Sequence, residues 1–204
     1  MPRFPLIPFG VLLLALSCSS VAEERVFPLE EMREGDLVFR RGRSLSSHAV
    51  MIAEKDGRYS HIGMLVKDGG TWKVVHSVPD EEEFDGDFDR VKMDDLSVFF
   101  SADRASKGSF VHTALMDSAR IADLCQTAIR MARDSVRFDH DYNTDDPSEL
   151  YCTEFIWRLY AREGIDLSEG RRQTVHLPIL GIDGDILLPE HLFAHAGNRE
   201  YHSF

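Results

Sequence analysis

Three residues of this chain are of types that do covalent chemistry together. Cys152 lies in ELYCTEFIWRLY, between a tyrosine and an apolar run with helical spacing. His61 and His76 lie in YSHIGMLVKDGGTWKVVHSV, two β-rich runs around a turn. The thiolate is the reactive form of cysteine, and two devices favour it: a helix N-terminus with its partial positive charge, and a nearby imidazolium. The turn-forming stretch from Asn143 to Glu149 leads into the cysteine run, which predicts that Cys152 stands at or near the start of a helix. Backbone N–H groups there are also placed to hold an oxyanion, a large contribution in acyl chemistry. Two plainer roles compete. Cys152 is also suited to be a small apolar filler, or one half of a disulfide with Cys125.

The hairpin argues for the histidines. With Asp68-Gly69 as a tight type I′ turn, Lys67 faces Gly70, Met64 faces Lys73, and His61 falls opposite His76. Directly paired residues on one face have Cβ atoms about 4.5–5.5 Å apart. His61 then suits a general base and His76 the group that orients its ring. Tyr151 and His140 are secondary candidates for substrate contact, although packing suits the first and solvent the second. The remaining histidines lack metal-ligand spacing, and neither a metal nor a cofactor is expected. Asp85, Asp87 and Asp89 have calcium-loop spacing, but Arg90 replaces the glycine that should follow. PDEEEFDGDFDR therefore reads as a solvated loop, one that could border the cleft and favour cationic substrates.

The elements that must position these residues are mixed. GDLVFRR reads as a strand, SLSSHAVMIAEKDG as a helix capped by Ser44 or Ser46 and stopped by Gly57, and GSFVHTALM as a strand. DSARIADLCQTAIRMARDS is amphipathic, with Ile121, Leu124, Cys125, Ala128 and Ala132 on one face. RFDHDYN alternates like a strand. A second helix spans Tyr151 to Gly164, after which the chain looks strand-poor until a short helix opened by Pro189. The class is α+β, with one clear antiparallel pair.

The N-terminus has a different purpose. One cation, Arg3, precedes an apolar stretch too short to span a bilayer, followed by Ser20-Val21-Ala22 with small residues where a signal peptidase reads. Residues 1–22 are expected to be a signal peptide and 23–204 a single catalytic domain, periplasmic or secreted. Ala15-Leu16-Ser17-Cys18 offers the alternative of a lipoprotein anchored through Cys18. After signal removal no integral membrane segment remains. The chain carries 23 Lys and Arg against 35 Asp and Glu, a formal charge of −12. That argues against nucleic acid or an anionic membrane as the main partner, and it leaves the oligomeric state open.

GDLVF, YSHIGM, VVHSVP and LYCTEFIW, in that order, resemble the permuted papain-fold cysteine hydrolases, and more narrowly the YiiX-like amidases of the NlpC-type superfamily. In ordinary papain-like enzymes the cysteine precedes the histidine; in the permuted group the histidine strand comes first, as here. The resemblance runs from about Glu34 to Phe193. It implies a small antiparallel sheet, curling toward a barrel and packed on the cysteine helix, with Cys152 as nucleophile and His61 as base. Many YiiX-like members have Glu as the third polar residue, whereas the lecithin retinol acyltransferase relatives have His; His76 stands at that place. The implied activity is thiol hydrolysis of an amide or ester in a peptide or lipid substrate through an acyl-enzyme. Alternatives are an acyltransferase using lipid or amine acceptors, and an inactive lipid- or peptide-binding domain.

Overall fold

The computed structural model describes residues 25–55, 57–177, 182–195 and 198–204. The signal-peptide and Cys18 assignments lie outside them. Six antiparallel strands form one sheet in the order β4-β3-β2-β1-β5-β8, where β1 is Leu37–Gly42, β2 His61–Asp68, β3 Thr71–Val78, β4 Arg90–Asp95, β5 Ala105–Thr113 and β8 Asn198–Ser203. Two further strands, β6 (Gln173–Leu177) and β7 (Ile182–Ile186), form a separate pair. The helices are α1 (Leu45–Ala53), α2 (Leu96–Phe99), α3 (Ser118–Arg133), α4 (Cys152–Arg162) and α5 (Pro189–Phe193). The α+β class therefore holds. The sheet stays open, with β4 and β8 at its edges, instead of closing into a barrel.

Both faces of the sheet are covered, which explains why β2 reads as a continuous apolar run. Leu37, Phe39, Ile62, Met64, Val66 and Val75 pack with Leu124, Ala128 and Ile129 of α3 and Phe155, Ile156 and Leu159 of α4. On the other face Val38, Leu65, Val74 and Phe110 pack with Leu96, Phe99 and Phe100. The α3 stripe is the one its spacing predicts, and the Asp117 carboxylate caps it by accepting from Ala119 and Arg120 N–H. Gly164, at φ +74°, lies just beyond the end of α4.

Three local readings are corrected. The hairpin turn is Gly69-Gly70, both at positive φ, and Asp68 pairs with Thr71. A type I′ turn needs φ > 0 at both central residues, and two glycines adopt that at less cost than Asp-Gly. The register therefore shifts by two, which preserves the face of every side chain. RFDHDYN is a turn whose strand character is confined to isolated bridges of Arg137 with Arg90 and Glu149: the Asp139 carboxylate accepts from Asp141 and Asn143 N–H, and Tyr142 sits at φ +54°. The C-terminal part is not strand-poor either. It supplies β6, β7 and β8, and β8 is hard to read because it is a polar edge strand pairing only with β5.

Candidate active site

Helix α4 begins at Cys152, with Tyr151 as the N-cap residue in an extended conformation. Three hydrogen bonds fix this end. Ser77 of β3 donates to Leu150 O at 2.5 Å, Thr153 Oγ1 donates to Leu187 O at 2.5 Å, and the Tyr151 hydroxyl accepts from Leu187 N–H at 3.1 Å. Tyr151 contributes no side-chain oxygen to the helix N-terminus. The first-turn N–H groups therefore lack the usual capping partner and present a donor set suited to a developing oxyanion.

Cys152 and His61 line one cleft, together with Arg40, Ser44, Ser46, Ser47, Ser60, Pro79, Glu81, Phe138 and Tyr142. His61 Nε2 is 2.9 Å from His76 Nδ1, although the two residues do not pair directly across the strands. Gly63 stands opposite His76, and His61 reaches it diagonally. A Cβ at Gly63 would lie 3.2 Å from the Cβ of His76 and 2.4 Å from Val74 Cγ1, so the absent side chain makes room for the imidazole. The two rings meet edge to face, and Phe99 packs against both. Sequence reasoning had brought these histidines together through a different register; parity of the strand, rather than exact pairing, carried that expectation.

Behind the histidines lies a charged network that the sequence did not reveal. His76 Nε2 is 3.2 Å from Asp94 Oδ2, which also accepts from Arg104 Nη1 at 2.8 Å. Glu81 pairs with Arg40 and, at 3.0 Å, with Arg104. Lys92 donates to Glu81 O at 2.6 Å and approaches Glu83 at 3.3 Å. Arg40 donates to Phe99 O at 2.7 Å and stacks over its ring. The acidic loop is thus only partly solvated. Glu81 turns inward to two arginines, and Asp87 accepts from Glu83 N–H, Phe88 N–H and Arg90. The cationic bias expected of this loop is not carried by Glu81, whose charge is already met. The one available signal was spacing: Asp94 has the parity that puts it on the His76 face.

Burial works against a resting thiolate. Burial pushes the Cys152 thiol up to about 11, and the N–H groups of Thr153 and Ile62 offset this only in part. Burial also holds His61 well below its ordinary 6.5, reinforced by the charges of Arg40, His76 and Lys92. His76 is lowered by burial too, against the pull of Asp94. Burial acts to raise Asp94, but the His76 hydrogen bond and the charges of Lys92 and Arg104 win, and its carboxyl falls well below the usual range. These shifts favour a thiol, two neutral imidazoles and a carboxylate. Such a set suits proton transfer in step with attack rather than a preformed ion pair.

The other candidates sit elsewhere. Tyr151 is buried and packs on Tyr142, which itself lines the cleft. His140 is largely exposed and pairs with Asp89 at 3.1 Å. Cys125 and Cys152 are both free. Cys125 is buried in α3, and burial pushes its thiol up to about 12.

The solved structure of the metalloprotein YiiX from Escherichia coli O157:H7 is similar to this chain, with a TM-score of 0.66 and 21% identity, covering 84% of this chain and 97% of that one. A likeness at that identity speaks for the fold. No match is found among curated proteins. The family described as permuted papain-like amidase enzyme, YaeF/YiiX, C92, matches residues 31–176, so the chain belongs to this family of papain-like amidases.

Proposed function

We propose that the protein is an exported thiol hydrolase that cleaves an amide bond, with Cys152 as nucleophile, His61 as general base and His76 orienting His61. The observation that carries this reading is the shared cleft of Cys152 and His61, with His61 tied to His76 at 2.9 Å. His61 takes the thiol proton as sulfur attacks the carbonyl carbon, and first-turn N–H groups of α4 receive the oxyanion. The same proton goes to the leaving nitrogen as the C–N bond breaks. Water then attacks the thioester with His61 again as base, and the C–S bond breaks as that proton returns to the Cys152 sulfur. Hydroxyls of Ser44, Ser46, Ser47 and Ser60 and the rings of Phe138 and Tyr142 line the cleft, a mixture suited to peptide amides. Cell-wall peptides are the amides an exported enzyme meets first.

The E. coli protein is described as a metalloprotein. In this chain His76, Glu81 and Asp94 are close enough to share an ion. They do not fit one. Arg40 and Arg104 already engage Glu81, Arg104 and His76 engage Asp94, and both His76 nitrogens have partners. An added dication would meet those cations at short range.

The test is to react the protein with p-nitrophenyl acetate and with a panel of peptide p-nitroanilides and muropeptides. Expected are an acetyl adduct on the Cys152 peptide and turnover of an amide, both absent in Cys152→Ala. An adduct released to added amines but not to water would favour the acyltransferase alternative. A wild-type Cys152 that takes up no acetyl group would leave the binding-domain alternative in front. N-terminal sequencing of exported material checks the cut after Ala22.

A further inference from the structure

Building on the hydrolase reading, we propose that Asp94 is a positioning residue that sets the direction of every proton in the line His61–His76–Asp94, and so makes Nδ1 of His61 the basic atom offered to Cys152. Three neighbouring strands hold the line. In the register of β3 with β4, His76 faces Lys92 and Val74 faces Asp94, so Asp94 is diagonal to His76 just as His61 is. The contacts run from His61 Nε2 to His76 Nδ1 at 2.9 Å and from His76 Nε2 to Asp94 Oδ2 at 3.2 Å. All three side chains are buried.

The proton count follows from one fixed end. A carboxylate only accepts, so His76 Nε2 carries its hydrogen. A neutral His76 then has its lone pair on Nδ1 and accepts from His61 Nε2–H. A neutral His61 is left with its lone pair on Nδ1, the atom free to take the thiol proton. When Cys152 attacks, the S–C bond forms, the carbonyl electron pair moves to oxygen, and the sulfur proton moves to His61 Nδ1. His61 becomes imidazolium while still donating from Nε2 to His76. The Nδ1 proton then passes to the departing nitrogen as the C–N bond breaks, which restores the starting tautomers. Asp94 remains ionised throughout.

Without Asp94 the polarity reverses. Arg104 and Lys92 lie on this side of His76. Cations favour a lone pair facing them, so His76 would turn its lone pair to Nε2 and its hydrogen to Nδ1. His61 would then accept at Nε2, carry its hydrogen on Nδ1, and point a donor at the thiol. A triad with the wrong tautomer keeps its geometry and loses most of its rate.

The experiment is nitrogen-15 NMR of imidazole-labelled protein at pH 7, assigned with His61→Gln and His76→Gln, beside stopped-flow acylation of Cys152 by p-nitrophenyl acetate. The wild-type spectrum is expected to show both rings protonated at Nε2. Asp94→Ala is expected to move His61 to the Nδ1–H form and slow acylation by about 10²-fold, with little change in half-saturation. Asp94→Glu, which keeps a carboxylate acceptor, should retain the tautomers and lose less. A wild-type His61 protonated at Nδ1 overturns the proposal and needs no variant to fold. So does an Asp94→Ala protein with wild-type tautomers and rate. The wild-type spectrum reads the line whether or not Cys152 hydrolyses an amide, so failure of the hydrolase reading would show in acylation alone.

Discussion

Among the described residues two histidines rest on buried aspartates, and one of them leads to the cleft of Cys152. His76 meets Asp94 at 3.2 Å in the middle of a charged network. His112 meets Asp36 at 2.8 Å, where Asp36 also accepts from Tyr201 OH and Arg33 N–H, and the His112 and Tyr201 rings stack at 3.9 Å. The carboxyls answer burial in opposite ways. Burial raises Asp36, with His112, Arg33 and Tyr201 only partly offsetting it. Asp94 feels burial as well, but His76, Lys92 and Arg104 bring it down. The cavities contrast too. The His112 pair borders a cleft of about 480 Å³, while the cleft of Cys152 and His61 holds about 40 Å³. Size therefore misleads here. An Asp–His pair gains chemistry from what the imidazole touches on its other side: His76 passes to His61 and the thiol, whereas His112 ends against a tyrosine.

The largest expected effect separates these two histidines. Cys152→Ala and His61→Ala should each lower amide turnover on the order of 10³-fold or more, while His112→Ala should stay within about 3-fold. A comparable loss in His112→Ala, measured as kcat/KM on folded protein, would break the contrast. The pH profile sharpens it. His61 is held well below 6.5, so it is already a free base at neutral pH, and the acid limb of acylation should lie below pH 6.5. The thiol, up at about 11, should contribute a thiolate only in strongly alkaline solution. Absorbance at 240 nm, wild type minus Cys152→Ala, reads this directly; a thiolate signal at pH 6 would mean a preformed ion pair instead.

At the other aspartate the expected loss is in stability. Asp36 ties the segment before β1 to β5 and β8 through Arg33, His112 and Tyr201. Asp36→Ala leaves those partly buried donors without their acceptor and should cost about 1–3 kcal/mol in urea unfolding, with acylation of the surviving native protein unchanged. If acylation fell in step with Asp94→Ala, the two regions would be coupled after all.

What the sequence revealed follows the range of each signal. The start of α4 was legible because turn chemistry and helical spacing meet at Cys152 within a dozen residues. The meeting of His61 and His76 was legible because strand alternation survives a register error of two. Register itself turned on which of two glycine-containing dipeptides made the turn, a preference of small energy. Asp94, Arg104 and Glu81 were opaque for another reason. They reach His76 from β4, the segment after α2 and an acidic loop, and charged residues on an edge strand resemble any solvated surface. The opposing effect of burial on the thiol was not legible because helix position is local, whereas burial depends on the entire cleft.

The smallest effect tests how finely the His76 side is fitted. Gly63 has no unusual backbone need; its hydrogen is required by what faces it. A methyl there would stand 2.4 Å from Val74 Cγ1 and 3.2 Å from His76 Cβ, both on the adjacent strand. Val74 is fully buried and has little freedom to retreat, so part of the displacement must fall on His76. Gly63→Ala should cost about 1–3 kcal/mol by overpacking, measured in urea, yet remain folded. Because the His61–His76 contact at 2.9 Å depends on that spacing, acylation should fall as well, by about 10-fold for a shift of a few tenths of an ångström at His76. A Gly63→Ala protein with lowered stability and full acylation would show that the line of histidines tolerates movement. The diagonal fit would then belong to packing, and the contrast between the two aspartates would rest on charge alone.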